Sequence, residues 1–92
     1  MTYLLVARVP AEGRADFDEY ERRVLPLLGD HGARLTRRLE TADRTIEVHL
    51  VEFSSPAAFA AYRDDPRRRS HAGLLEASGA AIELLELYDR PV

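Results

Sequence analysis

The side chains able to do chemistry in this sequence are three histidines and a set of charged residues embedded in apolar stretches. Arg8 sits in Tyr3–Val9, Glu47, His49 and Glu52 in Arg44–Phe53, and Glu83 and Glu86 in Ala80–Asp89. A charge on a covered strand needs a partner, because an unpaired buried ion is strongly disfavoured. Arg8 is expected to pair with Glu52 or Glu86, since the first, third and last strands should be neighbours. Imidazole and carboxylate groups in such places can exchange protons near neutral pH or orient a ligand. The same groups also serve as interface ion pairs or as strand ends reaching water. His31 precedes Gly32, where a helix C-terminus favours positive charge, which is a structural role. His49 falls on the strand face that carries Val51 and Phe53. His71 follows Asp65-Pro66-Arg67-Arg68-Arg69-Ser70. That arginine run, with Asp64 and Asp65 beside it, reads as a solvated helix face.

The elements that must hold these residues follow from period and punctuation. Tyr3–Val9 is a short apolar run closed by Pro10 and predicts a first strand. Acidic Asp16, Asp18 and Glu19 then gather at a helix N-terminus. Phe17, Tyr20, Val24, Leu27, Leu28 and His31 recur along one helix face, with a bend expected at Pro26 and a stop at Gly32. Ala33–Glu40 and Arg44–Phe53 predict two strands around Thr41-Ala42-Asp43. The first alternates Leu35, Arg37 and Leu39 against Arg34, Thr36 and Arg38. The second alternates Ile46, Val48, Leu50 and Glu52 against Glu47, His49, Val51 and Phe53. Ser55-Pro56 and Asp65-Pro66 are helix starts, giving two helical pieces between Pro56 and about Ser78. Ala80–Asp89, between Gly79 and Pro91, predicts a last strand. The order βαββαβ is the split arrangement of ferredoxin-like α+β folds: a four-stranded antiparallel sheet with helices on one face.

Composition bounds the function. The chain has 92 residues, 46% hydrophobic and 32% charged, which suits a single domain spanning 1–92. A net charge of −3 argues against nucleic acid as a partner. The absence of cysteine removes thiolate metal sites and thiol nucleophiles. No apolar run approaches the ~18 residues of a membrane span. The N-terminus lacks the charged start of a signal peptide, so a cytoplasmic protein is expected. No P-loop, dinucleotide fingerprint or nucleophile elbow is present.

Strand faces are informative about assembly. Tyr3, Leu5, Ala7 and Val9 line one face of the first strand, and Leu4 and Val6 the other. The last strand likewise has Ile82 and Leu84 opposed to Leu85 and Leu87. A strand apolar on both faces must be covered twice, and this chain has helix for one side only. A second copy, sheet against sheet, is therefore expected as the partner.

The element order, Asp30-His31-Gly32-Ala33-Arg34, and Val51-Glu52-Phe53-Ser54-Ser55-Pro56 with Ala57-Ala58-Phe59-Ala60-Ala61-Tyr62 and Asp64-Asp65-Pro66 resemble the dimeric α/β-barrel superfamily. Within it they resemble a small bacterial group of unknown function and the antibiotic-biosynthesis-monooxygenase branch. The resemblance implies a cavity bounded by the sheet and charged side chains that line it. It implies an enzyme of the monooxygenase, isomerase or cyclase kind, working without a cofactor on a small hydrophobic or aromatic substrate. His71, Tyr62, Arg8 and Glu52 would be its catalytic residues, with His49 and Glu86 binding the ligand. His71 occupies a position similar to the haem-ligating histidine of haem-degrading relatives. Tyr62 stands where those enzymes carry Trp, and Ala7 or Arg8 where they carry Asn, so haem chemistry is not expected. The alternative is a non-catalytic dimeric module that binds a small ligand or serves as a structural unit.

Overall fold

A computed structural model describes residues 1–92. Four strands, β1 (Thr2–Arg8), β2 (Ala33–Glu40), β3 (Ile46–Phe53) and β4 (Ala81–Leu87), form one antiparallel sheet in the order β2-β3-β1-β4. Helix α1 (Arg14–Val24) joins β1 to β2. The second crossover holds α2 (Pro56–Asp64), α3 (Pro66–Arg69) and α4 (Ala72–Ser78). This is the ferredoxin-like βαββαβ arrangement, with every helix on one side of the sheet. Its extents of 39 × 35 × 16 Å describe a thin two-layer slab.

Local chemistry explains the boundaries. The bend expected at Pro26 is a change from α to 3-10 winding over Leu25–His31, ended by Gly32 at φ 62°. Ser55 caps α2 by accepting a hydrogen bond from Ala58 N at 3.0 Å, with Pro56 in the first turn. Asp65 caps α3 in the same way through Arg67 N at 2.8 Å. A further break at Ser70–His71 divides the second crossover into three helical pieces rather than two.

The alternation expected for β3 is present. Glu47, His49, Val51 and Phe53 are buried beneath the helices, and Ile46, Val48, Leu50 and Glu52 face the open side. For β2 it fails. A register irregularity between Leu35 and Arg37 places Leu35 opposite Val51 but Leu39 opposite Val48, on the other face. The extra residue also turns Arg38 toward His49 on the helix side.

The core is aromatic. The Tyr3 and Phe59 rings stack at 4.3 Å, and Phe53 meets Phe59 edge-on at 5.2 Å. Gly13, just before α1, lies where no side chain fits. A Cβ there would meet the Ser78 carbonyl oxygen, with the carbonyl carbon 2.6 Å away. Gly13→Ala is therefore expected to cost about 2–3 kcal/mol by forcing α1 and α4 apart. Thermal unfolding checks this, and an unchanged midpoint would contradict the contact.

β4 is left uncovered. Its Ile82, Leu84 and Leu85 are each 42% exposed, far above what apolar core residues show. With Leu4, Val6, Val48 and Leu50 beside Leu85 and Leu87, the open face of the sheet is largely hydrophobic. No helix is long and apolar enough to cross a membrane.

Candidate functional site

Between the helical layer and the sheet lies a cavity of about 380 Å³. Fourteen of its eighteen lining residues are hydrophobic, so orientation of a guest falls to the other four: Glu21, His49, Arg63 and Arg68. Phe17, Tyr20 and Val24 form its α1 wall, Val51 and Phe53 its β3 wall, and Phe59 and Tyr62 its α2 wall.

Glu21 and His49 belong to a buried charge cluster. The helical stripe of α1 puts Glu21 between Phe17 and Val24, directed at the sheet. The two-residue period of β3 puts Glu47 and His49 on the same inward face. His49 Nε2 lies 2.9 Å from Glu21 Oε2 and 2.5 Å from Glu47 Oε2, so one ring N–H is shared by two carboxyl groups. Arg14 Nη2 donates to Glu47 Oε1 at 2.6 Å. Arg38 donates from Nε to Glu47 Oε2 at 3.1 Å and from Nη2 to Glu21 Oε1 at 3.0 Å. The cluster continues outward through Arg14 to Asp18 and Glu40.

The two glutamates are driven apart in acidity. Burial raises the Glu21 carboxyl above its ordinary range, and neighbouring Glu47 raises it further, against the pull of His49. Burial acts upward on Glu47 too, but hydrogen bonds from His49, Glu21, Arg14 and Arg38 outweigh it and hold that carboxylate well below its usual range. Like charges this close do not both ionise freely. For His49 burial favours the neutral ring, yet hydrogen bonds to Glu21 and Glu47 outweigh it and raise the pKa to about 9. His49 is therefore an imidazolium at neutral pH.

Because the folded value exceeds the ordinary ~6.5 of an unfolded histidine, its contribution to stability is fully present below ~6.5. It is lost as pH rises through about 9. NMR titration is expected to show one histidine titrating near 9, absent in His49→Gln, and the variant should lose less stability across that alkaline interval.

Glu21, Glu47 and His49 each offer one metal-ligand atom within 4.8 Å of the others. Both oxygens of Glu47 are already engaged by guanidinium groups, whose charge opposes a cation there.

Of the residues singled out from sequence, Tyr62 and His49 line the cavity. Tyr62 is buried, with its phenol pKa raised by that burial against the influence of Arg68. Arg8 and Glu52 are not brought together. Arg8 stands opposite Ile46 and Glu52 opposite Thr2, at the two ends of β1. Arg8 instead approaches Glu83 at 3.9 Å, and Glu52 accepts from Thr2 Oγ1 at 2.6 Å. The expected pairing of Arg8 with Glu86 fails for the same reason, since Glu86 stands opposite Tyr3 and accepts from the exposed Tyr88 hydroxyl. His71 is at the N-cap of α4, outside the cavity lining. His31 Nε2 donates to Asp65 Oδ2 at 2.7 Å, tying the end of the 3-10 segment to the start of α3.

Glu21 and Arg14 were not singled out by motif. Their signal was periodic: both fall on the Phe17–Val24 stripe of α1, as charges on an apolar helix face.

No family model and no curated relative matches the chain. Solved structures do. SnoaB, a cofactor-independent oxygenase from Streptomyces nogalater, superposes with a TM-score of 0.73 at 20% identity, covering 97% of this chain and 93% of that one. The chain has the ferredoxin-like fold of these proteins. A protein assigned as an antibiotic biosynthesis monooxygenase from Nitrosomonas europaea gives a TM-score of 0.69 at 18% identity, over 96% of this chain and all of that one (100%). A dimeric ferredoxin-like protein of unknown function from Jannaschia sp. CCS1 gives 0.68 at 19% identity, over 95% and 100%.

Proposed function

We propose that the chain is a homodimeric enzyme that uses no cofactor to deprotonate a small aromatic substrate and let the resulting enolate react with oxygen. The observation that carries this reading is the pair Glu21 and His49 on the wall of a largely apolar cavity, with Glu47 bonded to His49 behind it. A carboxyl group whose acidity is weakened by burial is a stronger base than an ordinary carboxylate. An imidazolium beside it supplies positive charge as the enolate forms. In this reading Tyr62, on the cavity wall, orients a ring hydroxyl or carbonyl. Structural likeness to a cofactor-independent oxygenase supports the same direction at the level of fold.

The balanced reaction takes an acidic ring CH2 to a ketone. The base removes one proton, the carbanion transfers electrons to O2 and forms a C–O bond, and loss of water from the peroxide completes the step. One oxygen atom stays in the product and the other leaves as water. Oxygen uptake with an anthrone, in buffer treated with a chelator, is the test. Uptake above the spontaneous rate, with quinone formed in equal amount, is expected. Tight binding with no uptake would overturn the enzyme reading in favour of a ligand-binding module.

The dimer half of the reading rests on the uncovered apolar sheet face and on β4. A solution mass near twice 10.4 kDa is expected at micromolar concentration. A monomer would overturn it.

A further inference from the structure

The cavity does not end at its apolar walls. It runs into a wider open groove of about 650 Å³ along α2, α3 and α4, and the two share Tyr20, Phe59, Arg63, Arg68 and Leu75. Arg63, Arg68 and Arg69 all line this groove. Their neighbour Arg67 is neutralised by Asp30 and Asp65, but no carboxylate lies within ion-pairing distance of the other three, Asp64 in the same groove included. Two of them are held in place by aromatic faces rather than acids. The Arg63 guanidinium lies 5.6 Å from the centre of the Phe59 ring, and that of Arg68 lies 4.9 Å from the centre of Tyr62. The Nε of Arg68 is buried with no hydrogen-bond partner. A buried donor of that kind is costly unless something accepts from it.

These rings are the same ones that wall the cavity, so each guanidinium stands where the apolar chamber meets solvent. We infer that the substrate is an amphiphilic aromatic acid, its ring system in the cavity and its carboxylate held by Arg63 and Arg68 at the mouth. The guanidinium fork matches a carboxylate in two-point geometry. Arg69 adds to the attractive field farther out along the groove. The inference rests on the reading of the cavity as a substrate site and adds the ligand's charge and direction of entry.

Fluorescence titration of the intact protein with a matched pair of probes separates the two ideas. Anthracene-9-carboxylate is expected to bind roughly tenfold more tightly than neutral 9-anthracenemethanol, the scale of one charge-assisted hydrogen bond. In the Arg63→Gln/Arg68→Gln double variant the preference should vanish while the alcohol keeps its affinity. Equal binding of the two probes by the parent protein would overturn the anionic substrate and leave the cavity reading standing. So would a preference that survives in the double variant. If neither probe binds, the cavity reading itself fails, and this inference with it.

Discussion

Glu47→Ala is expected to destabilise the protein by about 3–5 kcal/mol, the cost of breaking a buried ion pair by removing one partner. Glu47 is only 2% exposed and is the common acceptor for Arg14, Arg38 and His49. Removing its carboxylate leaves Arg14 and His49, themselves nearly inaccessible, without their main counter-charge. His49 can respond by giving up its proton, but Arg14 cannot. The loss should exceed what the missing methylenes alone would cause. Urea unfolding followed by circular dichroism measures it. A loss under about 1 kcal/mol would mean that water reaches the cluster and that these charges are solvated, not buried. Arg38→Ala provides the scale: its side chain is 47% exposed, so the same measurement should register a much smaller change.

That cluster also shows how far the sequence could be read. The element order and inward face of β3 follow from short-range rules: a two-residue period, Ser and Asp caps before proline, and Gly32 as a left-handed stop. The two-sided apolar character of β1 and β4 was legible for the same reason, and the structure leaves the corresponding sheet face open. Register was not legible. Arg8 and Glu52 both sit on open-face positions of neighbouring strands, yet antiparallel pairing sends them to opposite ends. A residue's face follows from counting, but its position along the partner strand depends on where the hairpin and crossovers close. The irregularity at Leu35/Arg37 has the same origin, because one additional residue reverses every later side chain of β2. It brings Arg38, assigned by strict alternation to the face of Arg34, over to Glu47 and Glu21. Glu21 itself was within reach of periodic reasoning, since a carboxylate four residues after Phe17 and three before Val24 must share their face. Glutamates on a helix are ordinarily solvated, and that expectation masks the exception.

Glu21→Gln is expected to lower kcat for the proposed oxygenation by about 10²–10⁴-fold, the range associated with loss of a positioned acid–base group. The substitution keeps the shape of the side chain, and its single carbonyl oxygen can still accept from Arg38 or His49, one of the two, so the cavity should persist. What it removes is the capacity to take and return a proton. Glu47 is poorly suited to replace it, since His49, Arg14 and Arg38 make it too weak a base and it does not line the cavity. KM should change little if binding is governed by the apolar walls and the mouth arginines. Glu21→Asp retains a carboxylate and should restore part of the rate while shifting its pH profile, whereas a purely structural role would give both variants similar losses. Stopped-flow oxygen uptake measured across pH distinguishes these cases. If Glu21→Gln retains full turnover and the parent's pH dependence, the proton is taken elsewhere and the cluster serves only to hold α1 against the sheet.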